Sequence, residues 1–156
     1  MIDNTYRVVL FGHRDFYGHK ILDDYLYPLL KDLLNTKPFV EIYIGRNGEF
    51  DTYAATVVRR VQKAFGEGTS EFICVLPYPV KDMEYYEKYY DSVMIPECVE
   101  KVHRKGSITK RNRWMVEQAD IFICYVEKEE GGAYAALEYA QKLNKQIINL
   151  ADYKGL

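Results

Sequence analysis

The fold is decided by the stretch Ala119-Asp120-Ile121-Phe122-Ile123-Cys124-Tyr125, which is followed by Gly131-Gly132 and by helix-forming residues to Lys142. The apolar run 121–125 is typical of a strand that is buried on both faces of a parallel sheet. The two glycines predict a turn, and residues 133–142 predict a helix. A glycine turn before a helix lets a ligand approach the backbone closely, and the helix N-terminus favours an anion.

The same alternation of strand and helix extends over the rest of the chain. Further strands are predicted at Tyr6–Phe11, Phe39–Ile44, Phe72–Leu76 and Gln146–Asn149, with an extended piece at Val93–Ile95. This order predicts the α/β class, as a Rossmann-like three-layer sandwich with a mostly parallel central sheet of about five strands. In such sheets ligands bind beyond the carboxyl ends of the strands, where the strand order reverses.

Several of the segments between these strands are predicted to be helices. Apolar residues recur at helical spacing from Tyr17 to Leu34, and Pro28 is expected to kink or split that helix. A second helix is predicted from a cap at Asp51 or Thr52 to Phe65, and a third from a Ser107 cap to Gln118. A short helix is expected through the tyrosine doublets of residues 85–90.

Length and composition favour one domain over residues 1–156 of a cytoplasmic protein. No apolar run approaches the ~20 residues of a membrane span, and Met1–Thr5 does not resemble a secretory signal. Three cysteines without paired spacing favour reduced thiols. We expect Cys74, Cys98 and Cys124 to be buried structural residues.

The net charge of −2 conceals a basic segment between Lys101 and Arg113, which contains six Lys or Arg residues and no acid. The remaining residues carry 15 basic side chains against all 23 acidic ones. A local positive patch on an acidic protein favours a local anionic ligand over a long nucleic-acid track. A solvated charged loop is the alternative interpretation.

Three loops with glycines directly follow predicted strands, at Gly12–Asp15, Gly45–Asp51 and Glu129–Gly132. All three are expected to open on the same edge of the sheet. Arg14 can grip a phosphate, and His13 can donate or accept a hydrogen bond. Acids of the second loop can accept hydrogen bonds from ribose hydroxyls, although Asp51 is equally well explained as a helix cap.

The segment after residue 110 supplies candidate catalytic groups. Arg111 and Arg113 are two apart on a helix and therefore do not share a face. Glu138 is suited to stabilising a ribosyl cation or to acid/base work if it turns toward the cleft. His13, His19 and His103 lack metal-binding spacing, so neither a metal nor a cofactor is predicted.

Tyrosine occurs 15 times, and the doublets Tyr85-Tyr86 and Tyr89-Tyr90 have helical spacing. An amphipathic helix that uses tyrosine on its core face is favoured over an aromatic wall for a base. Surfaces rich in exposed tyrosine also favour a homodimer.

The loops, in this order, resemble the SLOG superfamily over nearly the whole chain. The resemblance rests on Phe11–Arg14, Gly45–Gly48, Arg111–Met115, Ala119-Asp120 and Gly131-Gly132 through Glu138. That superfamily includes the lonely-guy phosphoribohydrolases, DNA-processing protein A, and small bacterial and phage members. It implies a Rossmann-like domain that binds nucleotides or nucleotide-derived ligands, often as a dimer.

In the phosphoribohydrolases the motif is PGGxGTxxE with an arginine upstream. Gly131, Gly132 and Glu138 match its glycines and glutamate, and Arg111 matches the arginine. Glu130 replaces the proline, and Tyr134 replaces the third glycine. These departures weaken the phosphate cradle and disfavour a nucleoside monophosphate, whereas a larger ligand such as an ADP-ribose derivative or a cyclic nucleotide is compatible with them.

Three hypotheses follow. The first is binding of a nucleotide or NAD-derived ligand, for sensing or sequestering. The second is an N-glycosidase with catalytic Glu138 and Arg111, and the third, ranked last, is single-stranded nucleic-acid binding through the basic segment. The predicted ligand-binding residues are Gly12, His13, Arg14, Gly45, Arg46, Asn47, Glu49, Arg113, Gly131, Gly132 and Tyr134.

Overall fold

A parallel sheet organises the computed structural model, which describes residues 4–46 and 48–155. Within that part of the chain six strands pair in the order β4-β3-β2-β1-β5-β6, all parallel. The strands are β1 (Thr5–Gly12), β2 (Phe39–Ile44), β3 (Ser70–Val75), β4 (Ser92–Met94), β5 (Ile121–Tyr125) and β6 (Gln146–Asn149). The predicted α/β class is confirmed, and the extended piece near residue 93 supplies the sixth strand at one edge.

Helices cover both faces of this sheet. They are α1 (His19–Ile21), a π-helical segment (Leu22–Leu26), α2 (Tyr27–Thr36), α3 (Glu49–Phe65), α4 (Met83–Tyr89), α5 (Arg104–Gln118) and α6 (Gly131–Lys142). Two 3₁₀ turns lie at Glu97–Val99 and Leu150–Tyr153. No described helix is both long enough and apolar enough to cross a bilayer.

The central strands are buried on both faces, because their side chains alternate between two cores. Val8 and Leu10 face the core formed with α2 and α3, whereas Val9 and Phe11 face the core formed with α5 and α6. This alternation produces the three layers expected of the fold and explains why β1 is apolar without interruption.

The helical region from His19 to Thr36 passes through Pro28 without the predicted split. Pro28 occupies the first turn of α2, and the segment before it is π-helical. There the N–H of Tyr27 donates to the carbonyl oxygen of Leu22, five residues back. Because proline lacks an N–H and crowds the preceding carbonyls, a widened turn accommodates it inside a continuous helix.

Three helices begin earlier than predicted. The first residue of α3 is Glu49, so Asp51 lies inside the first turn, and α5 begins at Arg104, so Ser107 is buried within the helix. The Gly131-Gly132 pair opens α6 instead of forming a separate turn before it. Apolar periodicity identified these helices, but the caps depend on local contacts that periodicity does not contain.

The cysteines differ in exposure. Cys74 and Cys124 are buried, as predicted, and burial raises the pKa of each thiol to about 12. Cys98 is exposed, so the expectation that it is buried is wrong. It lies in the short 3₁₀ turn Glu97–Val99, in which Val99 takes the buried position and Cys98 faces solvent.

Candidate functional site

A cleft opens at the carboxyl ends of β1 and β5, where the strand order reverses. Its volume is about 340 Å³. The three predicted loops and α5 meet there. Of the predicted site residues, those that line the cleft are Gly12, His13, Arg14, Gly45, Arg111, Gly131 and Gly132. The cleft is therefore built from segments that lie more than a hundred residues apart in the sequence.

Other predicted site residues lie elsewhere. Glu49 is exposed in the first turn of α3, and Asn47 lies outside the described residues. Arg46, Arg113, Tyr134 and Glu138 do not line the cleft. The described residues contain no group of three His, Cys, Asp or Glu side chains placed to hold a metal ion.

His13 joins the loop after β1 to the loop after β5. Its Nε2 atom accepts hydrogen bonds from the backbone N–H groups of Glu127 at 3.0 Å and Lys128 at 3.1 Å. Burial lowers the pKa of His13, and the positive charge of Lys128 lowers it further, against the opposing carboxylates of Glu127 and Glu130. An Nε2 that accepts two N–H groups belongs to the neutral ring protonated at Nδ1. The imidazole therefore stabilises the loop after β5 as one wall of the cleft.

Arg14 lies at the mouth of the cleft and is exposed. Its carbonyl oxygen accepts the N–H of Glu49 at 2.9 Å, which fixes the loop after β1 against the start of α3. Gly48 makes this approach feasible, since its φ is +131° and an added Cβ would lie 2.8 Å from the Cα of Arg14. No ion pair joins the Arg14 guanidinium to another described residue, so the group remains open to an anion.

Arg111 is held in place by the protein itself. Only 6% of it is exposed, its Nη1 donates to the carbonyl oxygen of Val75 at 2.7 Å, and its Nε donates to Oδ1 of Asn112 at 2.8 Å. Burial lowers the pKa of Arg111, and the charge of Asp51 opposes that effect. A Cβ on Gly45 would lie 3.3 Å from Nη1 and 3.4 Å from Oδ2 of Asp51. The guanidinium is thus fixed in place near the carboxylate of Asp51.

Gly12 and Gly131 differ in what surrounds them. A Cβ on Gly12 would overlap the ring of Phe50, so this glycine makes room for a buried aromatic residue. Gly131 begins α6 with a φ of +91°, and its surroundings are open. The N-cap residue Glu130 makes no side-chain hydrogen bond to the first turn. At this end of the cleft the N–H groups of α6 lack a side-chain cap.

Glu138 belongs to a second concavity. A groove of about 450 Å³ runs between α5 and α6 and is lined by Glu138, Arg113, Tyr139 and Lys142, among others. The guanidinium carbon of Arg113 lies 5.2 Å from the centre of the Tyr139 ring. The groove shares Asn112 and Gly132 with the cleft, whereas Glu138 lines the groove and Arg111 lines the cleft.

Most of the tyrosines proposed as base-stacking groups pack against the protein. Tyr134 is half-buried against the core under α6, and the negative charge of Glu138 raises its pKa. Tyr90 is 7% exposed, and Tyr86 packs against the same core, with the two rings stacked at 6.1 Å. Tyr85 is 61% exposed. The core interpretation therefore describes the doublets best, with Tyr85 as the exception.

Sequence reasoning overlooked a neighbouring arrangement on the same edge of the sheet. The guanidinium carbon of Arg104 lies 4.1 Å from the centre of the Tyr78 ring. Arg46, predicted as a cleft residue, lies in the hollow beside this pair. Two features of the sequence could have indicated this arrangement: Tyr78 lies just after the third strand, and Arg104 lies in the basic segment.

Comparison with solved structures supports the fold. The X-ray structure of DNA processing protein A from Streptococcus pneumoniae matches with a TM-score of 0.65 at 17% identity, over 91% of this chain and 49% of that one. The chain thus spans about half the length of that protein. No family model and no curated protein matches the sequence. The likeness concerns the fold alone: this chain shares the α/β fold of that solved structure.

Proposed function

We propose that the protein binds a phosphate-bearing, nucleotide-derived ligand in the cleft between β1 and β5. The observation that carries this proposal is the convergence of three strand-end loops, the uncapped start of α6 and the unpaired Arg14 on one space of about 340 Å³. That volume lies in the range of small-molecule sites, which is about 300–1,000 Å³. Glycines and a helix N-terminus suit a phosphate, and Arg14 supplies a cation.

The two arginines of the cleft have different roles in this proposal. Arg14 is exposed and unpaired, so it binds phosphate directly. Arg111 is already bonded to Val75 and Asn112, so it contributes a fixed positive field and orients the amide of Asn112 toward the ligand. Asp51 faces the same space and can accept a hydrogen bond from a ribose hydroxyl.

The geometry favours binding over cleavage. The glycosidase hypothesis requires Glu138 close to the ligand that Arg111 orients, whereas Glu138 lines the groove between α5 and α6. A sensing or sequestering role needs no such carboxylate. Glu138→Gln separates the two hypotheses, because it abolishes turnover in a glycosidase and leaves binding intact in both.

Single-stranded nucleic-acid binding is the second candidate. Lys101, Lys105 and Lys110 are exposed in the basic segment, and the fold matches that of a protein named for DNA processing. Such binding would weaken steeply with salt and strengthen with oligonucleotide length. We rank nucleic-acid binding below the binding of a compact ligand, because the space at the strand ends has the size of a small-molecule cleft.

A ligand panel tests the proposal directly. Thermal shift and mass spectrometry would be recorded with AMP, NAD, ADP-ribose and cyclic dinucleotides. We expect at least one to raise the melting temperature and to be recovered intact, and Arg14→Gln to weaken its binding about tenfold or more. Lys31→Gln, an exposed cation on α2, is the matched control. Stabilisation that is insensitive to Arg14→Gln would remove the cleft as the site.

A further inference from the structure

Three cations surround a hollow next to the cleft. Its volume is about 580 Å³, and Arg46, Lys81 and Arg104 line it together with the loop that carries Tyr78. Arg46 directly follows Gly45, which lines the cleft. The hollow and the cleft therefore adjoin along the carboxyl edge of the sheet, although they share no lining residue.

Two of these cations are held by aromatic rings. Arg104 lies over Tyr78 at 4.1 Å, and Arg46 lies over Tyr86 at 5.6 Å, with its Nη1 3.4 Å from the Tyr86 hydroxyl oxygen. Cation–π contacts orient a guanidinium without neutralising it. The rings therefore place two positive groups at the hollow and leave their charge available.

The hollow lacks a matching negative charge. None of the ion pairs among the described residues includes Arg46, Lys81 or Arg104. Asp82 supplies the single carboxylate of the lining, against three cations. The Nε atom of Arg46 is buried and has no hydrogen-bond partner among the described residues. An unsatisfied buried donor and clustered like charges both cost free energy, and an anion bound in the hollow would offset the repulsion among the three cations.

We infer that this hollow binds a second phosphate group of the ligand, so that the ligand carries two phosphate-bearing units, as a dinucleotide does. The inference rests on the proposed function for the cleft, which takes the first unit. Arg46, Lys81 and Arg104 supply the positive groups that contact this phosphate. A mononucleotide can occupy the cleft but leaves the hollow empty.

Inorganic pyrophosphate tests the hollow independently of the cleft. Nitrogen-15 NMR would follow the side-chain Nε–Hε signals of Arg46 and Arg104 during titration. Both signals should shift and saturate in the wild type, with weaker binding in Lys81→Gln. Unchanged signals at saturating anion would overturn the second site, whatever the cleft binds.

The dinucleotide pApA and AMP then test the link between the two sites. We expect pApA to bind at least about tenfold more tightly than AMP, and the advantage to disappear in Lys81→Gln/Arg104→Gln. The control variant Lys31→Gln/Lys88→Gln removes two exposed positive charges that do not line the hollow, and it should retain the affinity advantage of pApA over AMP. If pApA still binds more tightly than AMP in Lys81→Gln/Arg104→Gln, the inference is overturned.

A failure of the proposed function would look different. In that case neither nucleotide would shift the backbone amides of Gly12, Gly45 and Gly131, while pyrophosphate still shifted the two arginine signals. The two-unit ligand would then be refuted together with the cleft. A longer single-stranded oligonucleotide that outcompetes pApA would identify a nucleic-acid strand as the source of the phosphates.

Discussion

Nη1 of Arg111, on α5, donates a hydrogen bond of 2.7 Å to the carbonyl oxygen of Val75 at the end of β3. The guanidinium thereby ties a helix on one face of the sheet to the carboxyl edge where the cleft opens. Arg111→Met should lower the free energy of unfolding by about 2–4 kcal/mol, because it leaves the buried carbonyl oxygen of Val75 without its donor and removes the positive charge beside Asp51. Urea denaturation measures this change. Arg113→Met, two residues away and exposed, should change it by less than about 0.5 kcal/mol; equal losses would contradict the structural role.

His13 should make stability depend on pH. Its pKa is lowered in the folded protein, so the unfolded chain binds the proton first as pH falls. The stabilisation is complete above the unfolded pKa of about 6.5 and is lost progressively as pH falls below it toward the lower folded pKa. His13→Ala should cost about 1–3 kcal/mol at neutral pH and flatten this part of the profile. A profile with the same slope in the variant would assign the pH dependence to another group.

Gly12 should tolerate no side chain. Gly12→Ala places a methyl group into the ring of Phe50, and overpacking of this kind costs about 1–3 kcal/mol. Gly12→Ala/Phe50→Leu should lose less than the sum of the two single changes, since the smaller side chain relieves the overlap. Gly132→Ala is the matched comparison: its Cβ would lie 3.6 Å from Nδ2 of Asn112, an ordinary contact. Thermal melts of the two single variants, the double variant and Gly132→Ala, each compared with the wild type, measure these differences in stability.

Thiol labelling should separate the three cysteines. Under native conditions iodoacetamide should add one label, at exposed Cys98, because Cys74 and Cys124 are buried and their pKa values are raised to about 12. In denaturant three labels are expected. Mass spectrometry of the intact protein and its peptides provides the count, and native labelling of Cys124 would show that the layer under α6 opens readily.

The fold could be predicted because hydrophobic periodicity records burial on both sides of a sheet. The bounds of β2, β5 and β6 agree with the structure, since short runs rich in Ile, Val, Phe and Tyr are typical of strands. Helix starts were less accurate. The loop after β2 shows why: Gly48 caps α3 because the backbone of Arg14 arrives from elsewhere, and no local pattern contains that contact.

Loop positions could be predicted, but side-chain roles could not. Topology alone brings Gly12, Gly45 and Gly131 to one edge. Whether Gly12 serves a ligand or Phe50, and whether His13 faces a ligand or two backbone N–H groups, depends on contacts between distant segments. Tyr78 and Arg104 were missed for the same reason, because no local pattern reveals that a ring and a guanidinium 26 positions apart meet.

The pairing of β1 with β5 also sets an order of assembly. Val8 lies opposite Ile121, and His13 reaches Glu127 across 114 positions of the chain. Closing such a loop is entropically expensive and late compared with local helix formation. A chain emerging from the ribosome therefore has no cleft until its last third has been synthesised and has folded back onto β1. Ligand binding in the cleft would accordingly report that folding is complete. Loss of the β5–α6 unit alone would abolish that binding.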